Sequence, residues 1–132
     1  KSSMIKINFF IGSRYPVSRK MLRKSVEETL KKNGVDHAQV DVSIVGDRKI
    51  QTLNETKLKH KGKTDVLSFP HHDKKQLNEI PLPEEIPPHL GDVVISFPEA
   101  IRMAKKFGKR VDEQLCFYLE HGLMHLLGYH HD

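Results

Sequence analysis

Tryptophan is absent, cysteine occurs once, and no apolar run approaches the roughly 20 residues that a membrane-spanning helix needs. With Cys116 alone, no internal disulfide can form, which excludes a disulfide scaffold. Aromatic residues make up only 7% of the chain, so a core must be assembled from aliphatic side chains. No signal peptide stands at the start, which reads Lys1-Ser2-Ser3-Met4, and a reducing cytoplasm is the expected compartment. A chain of 132 residues can bury such a core without a disulfide or a metal as its main support. No internal repeat divides it, so residues 1–132 are expected to form a single domain.

The formal charge is +5 and the pI about 9.3, a balance that favours anionic partners without requiring them. Distribution says more than the sum. The segment KLKHKGK, Lys57 to Lys63, holds four lysines and no acid, whereas Glu79, Glu84 and Glu85 fall in NEIPLPEEIPPHL. Two readings of the lysine segment stand open, contact with a polyanion and a solvated loop.

Hydrophobic periodicity places the elements. MIKINFFI, Met4 to Ile11, reads as a strand, and Ser18 caps an amphipathic helix that ends at Gly34 with Met21, Leu22, Val26 and Leu30 inward. AQVDVSIV, Ala38 to Val45, alternates apolar and polar residues as a half-buried strand does. Gly46-Asp47 ends that strand and caps a helix that turns Ile50 and Leu53 inward. TDVLSFP (Thr64 to Pro70) and GDVVISFP (Gly91 to Pro98) are strands stopped by proline, separated by a Pro-rich loop. Pro98 suits the first turn of a helix carrying Ala100, Met103, Ala104 and Phe107 on one face up to Gly108. A final helix begins near Asp112 and Glu113 and runs to Gly128 with Leu115, Tyr118, Leu119, Leu123, Leu126 and Leu127. The order β-α-β-α-β-β-α-α implies an α+β fold, a small mixed sheet of about four strands packed with helices.

The chemistry concentrates in HGLMHLLGYHHD, His121 to Asp132. His121 and His125 are one helical turn apart, with side chains roughly 40° from each other around the axis, so they can share one metal ion. Gly128 can adopt the left-handed conformation that ends a helix, which lets the chain reverse and bring His131 back as a third ligand. His130 is the alternative third ligand. Three imidazoles suit zinc and leave a fourth position for water, the layout of a catalytic rather than a structural site. The spacing is that of the zinc peptidase pattern H-E-x-x-H-x-x-G-x-x-H, but Gly122 occupies the place of its general base. His37, His60, His71, His72 and His89 have no such arrangement and are read as surface residues.

At this point the sequence resembles the YbeY family of bacterial metal-dependent endoribonucleases. The blocks that carry the resemblance are LNETKLKHKGKTDVLSFP (Leu53 to Pro70), LGDVVIS (Leu90 to Ser96) and HGLMHLLGYHHD, in the family's order. The resemblance implies one zinc ion per chain, held by His121, His125 and His131 in a groove suited to single-stranded RNA. It also implies work on ribosomal RNA in maturation and ribosome quality control, with the ribosome or its proteins as partners. Two positions depart from the family pattern. His130 stands where the family usually has Asp, and Leu58 stands where ungapped alignment puts an Arg, leaving that role to Lys57 or Lys59.

Gly122 weighs on the choice of reaction. Amide hydrolysis needs a base for water and an acid for a poor amine leaving group, and glycine supplies neither. A metal that activates water and polarises a phosphoryl oxygen, with lysines offsetting the transition-state charge, is sufficient for a phosphodiester. Lys57, Lys59 and Lys61 are therefore candidate substrate contacts. Asp65 and Ser68 are either orienting groups for ligands or substrate, or polar residues that merely alternate on a strand. A zinc metallopeptidase and a non-catalytic zinc-stabilised RNA-binding module are the competing classes.

Overall fold

In the computed structural model, residues 4–57, 66–70 and 87–129 are described. Among them the order is β1 (Met4–Ile11), α1 (Arg19–Lys32), β2 (His37–Val45), α2 (Asp47–Lys57), β3 (Val66–Pro70), β4 (His89–Ser96), α3 (Phe97–Phe107) and α4 (Val111–Leu126). The strands form one four-stranded sheet in the order β1-β2-β4-β3. β1, β2 and β4 run parallel, joined through helices as parallel strands require, and β3 pairs antiparallel with β4 at the edge. The fold is thus α+β with a mixed sheet, as the order of elements implies.

Strict alternation gives the sheet two different faces. Ile7, Val40, Val42, Val93 and Ile95 turn to one side and pack with Leu22, Val26 and Leu30 of α1 and with Leu115, Leu119 and Leu123 of α4. Each fully buried leucine there contributes about 1.5–3 kcal/mol relative to an exposed one, which makes this face the main source of stability. On the other side α2 covers a smaller cluster of Ile50, Leu67 and Val94, with Val45, Leu53 and Phe69 at its margin.

Capping and ion pairs fix the helices in place. Ser18 caps α1 by accepting from the Met21 N–H at 3.2 Å, and its own N–H donates to Asp112 at 3.2 Å, tying the start of α1 to α4. Ser96 caps α3 by accepting from the Glu99 N–H, while its hydroxyl donates to the Asp47 carboxylate at 2.9 Å. Asp47 lies inside the first turn of α2 and binds Ser96 and Arg102, joining α2 to β4 and α3. Hydrogen bonds that Arg102 donates to Glu99 and then to Asp47 hold its guanidinium further into its protonated range.

Two residues of the apolar faces stay at the surface: Met21 is 37% exposed and Phe107 56% exposed.

Candidate functional site

His121 and His125 occupy the last turns of α4, and the helix holds them on a defined flank. Asp112, Cys116 and Met124 meet Ser18, Met21 and Asn33 at α1, so that side of α4 is occupied by α1. At about 100° per residue, His121 and His125 fall on the opposite flank, toward the edge strand β3. Their rings lie with centroids 4.5 Å apart and planes tilted by 51°, and both are half-buried. The paired imidazoles fit a cation that prefers nitrogen ligands.

Between them stands Gly122, and its lack of a side chain has a packing cause. It is buried, and a Cβ built there would lie 2.7 Å from Val93 Cγ1 and 3.5 Å from Val66 Cγ2. The direction in which a side chain would leave this position is filled by the sheet. Any side chain there would have to displace Val93, so glycine lets α4 seat closely on β4 and β3.

After Leu126 the helix ends as its sequence suggests. Gly128 has φ +96°, its N–H donates to the His125 carbonyl at 3.0 Å, and the Tyr129 N–H donates to the Met124 carbonyl at 3.0 Å. These bonds close the end of α4 with Gly128 in the left-handed region. His130, His131 and Asp132 lie outside the described residues, as do Lys59, Lys61, Lys63, Asp65 and the positions of Leu58, His60, His71 and His72; the backbone of Lys57 closes α2, and its side chain is outside too. Ser68 is opposite Val93 in the β3–β4 register, so its half-buried side chain shares the face that α4 covers. Of the proposed substrate contacts, Ser68 is the one placed on the histidine side of the sheet among the described residues.

A second constellation escaped the sequence reading. Asp41, His89 and Asp92 present ligand atoms within 4.8 Å of one another, a cluster able to hold a metal ion. His89 Nε2 is 3.4 Å from Asp41 Oδ1, and the two side chains are 27% and 24% exposed. His89 is therefore no simple surface residue. Period-two alternation does not reveal which strands are neighbours, and without the register no signal joins these residues. A cavity of about 490 Å³ at the ends of β1 and β2, with Arg14 and Lys49 on its wall, is lined by neither constellation.

A family model described as Endoribonuclease YbeY matches residues 13–132, well upstream of the three motif blocks as well as through them. The chain belongs to the YbeY family. It is 44% identical over 94 residues to Endoribonuclease YbeY of Myxococcus xanthus, covering 71% of this chain and 30% of that protein. To Endoribonuclease YbeY of Dehalococcoides mccartyi (strain BAV1) it is 37% identical over 121 residues, covering 87% of this chain and 76% of the relative. The solution structure of TM1509 from Thermotoga maritima superposes with a TM-score of 0.60 at 25% identity, covering 98% of this chain and 75% of that one. Among the described residues, no helix of this YbeY-family chain is long and apolar enough to cross a membrane.

Proposed function

We propose that this chain is a single-domain, metal-dependent endoribonuclease that hydrolyses phosphodiester bonds in single-stranded RNA. Its work is ribosomal RNA maturation and ribosome quality control in the cytoplasm, with the ribosome or its proteins as partners. His121, His125 and His131 hold one zinc ion. When bound, the ion supplies Lewis acidity and makes water a nucleophile near neutral pH. Lys57, Lys59 and Lys61 contact phosphates and offset charge on the reacting phosphorus, and Asp65 and Ser68 orient substrate from β3 and the segment before it.

The observation that carries this reading is the His121–His125 pair, ring centroids 4.5 Å apart, flanking a Gly122 whose side-chain direction is filled by Val93. Such a pair supplies two of the three imidazole ligands of the proposed zinc centre, and the crowding at Gly122 disfavours the carboxylate that amide hydrolysis demands. A peptidase is disfavoured on the same ground. A purely structural zinc module is disfavoured because three protein ligands leave a position open.

The test is incubation of the zinc-loaded chain with labelled single-stranded RNA and, in parallel, with casein. RNA is cut and casein stays intact. Casein cleavage that rises with zinc occupancy would replace this reading with the peptidase.

A further inference from the structure

The Asp41–His89–Asp92 cluster is placed by the register of the sheet. Asp41 and Asp92 stand directly opposite each other on parallel β2 and β4. Their neighbours Val42 and Val93 point into the core beneath α1 and α4, so both carboxylates point the other way. In a regular strand His89 and Asp92, three residues apart, would face opposite sides. Here the register shifts between Gln39 and Val40, which pair with His89 and Gly91, and the extra residue Leu90 brings His89 onto the carboxylate face. A bulge of this kind re-aims a side chain.

Supports outside the cluster hold these groups in position. The Asn8 amide donates to Asp41 Oδ1 at 2.8 Å from β1 and orients the carboxylate. Gln39 donates from its backbone N–H to the Pro88 carbonyl at 2.8 Å and from Nε2 to the Pro87 carbonyl at 3.2 Å, anchoring the segment that leads into His89. Carboxylates directly opposite each other on adjacent strands repel, and a divalent cation held between them removes that repulsion.

We propose that Asp41, His89 and Asp92 form a second divalent-cation site, separate from the histidine centre on α4. The sheet lies between the two, because α4 sits over Val93 while Asp92 faces away, so no ion can bridge them. Two carboxylate oxygens with one imidazole nitrogen suit an octahedral first-row cation of the Mn²⁺ type, with the remaining positions taken by water. The trio is half-exposed, which gives such an ion access from solvent.

The experiment is a Mn²⁺ titration of the full, zinc-loaded chain, with free Mn²⁺ read by electron paramagnetic resonance and thermal unfolding read alongside. One saturable Mn²⁺ per chain is expected beyond the zinc. Asp92→Asn and Asp41→Asn, which keep side-chain shape, and His89→Ala each weaken it at least ten-fold and abolish the Mn²⁺-dependent rise in Tm. His125→Ala leaves the Mn²⁺ isotherm unchanged. A wild type without saturable Mn²⁺, or Asn variants that titrate like it, overturns the site. So does loss of Mn²⁺ in His125→Ala alone, which would place the ion at the histidine centre.

Discussion

One face of the sheet carries Ile7, Val40, Val42, Val93 and Ile95 beneath α1 and α4, whereas the other carries the Ile50 cluster under α2 at one end and Asn8, Asp41, His89 and Asp92 at the other. The first face is continuous and apolar, and the polar groups proposed to act there are confined to the far end of α4 and to edge strand β3. The second is divided between a small core and a polar surface. The difference leaves one thin sheet with polar side chains available on both sides. A dense core on one face leaves the other free to hold charged groups that would be costly to bury.

The contrast predicts unequal costs for comparable deletions. Leu119→Ala, in the fully buried seam of α4, is expected to lower the unfolding free energy by about 3–5 kcal/mol, and Ile50→Ala, under α2, by about 2 kcal/mol, both read from urea denaturation. An equal or reversed pair of values would break the distinction between the faces. Gly122→Ala sharpens it further. The added methyl meets Val93 Cγ1 at 2.7 Å, so Val93 or the helix must shift, at a cost of about 1–3 kcal/mol. A neutral Gly122→Ala would show that α4 is not seated as closely as described, and would reopen the question of why no carboxylate stands there.

Smaller effects follow from the lysines at the end of α2 and after it. Phosphate contacts release counterions, so the affinity for single-stranded RNA should fall with salt at about 0.7 log units per decade of salt for each contact. Replacing Lys57, Lys59, Lys61 and Lys63 with alanine should weaken RNA binding and flatten that slope while zinc content stays unchanged. An unaltered slope would move the RNA path toward Lys105, Lys106 and Lys109 on and after α3.

Much of this was legible in the sequence, for local reasons. The Ser18 cap, the end of α3 at Gly108 and the left-handed Gly128 follow from residues that act within one turn of themselves. The inward leucines of α4 follow from helical period, and the paired His121 and His125 from the same period. What escaped was long-range. The order β1-β2-β4-β3 and the extra residue at Leu90 decide that Asp41, His89 and Asp92 meet, and neither is written into any one segment. Gly122 was legible as a missing base but not as a contact, since the Val93 side chain that fills its place lies 29 positions away in the chain. Met21 and Phe107 escaped because periodicity sets the centre of an apolar stripe better than its width.

The central claim is that the histidines on and beyond α4 form the zinc centre of this YbeY-family chain, and metal analysis of the purified His125→Ala protein tests it most directly. The wild type should carry one zinc per chain and the variant substantially less than stoichiometric zinc, with its circular dichroism spectrum close to wild type because His125 lies outside the buried core. A correctly folded His125→Ala protein that still holds one zinc per chain would contradict the assignment.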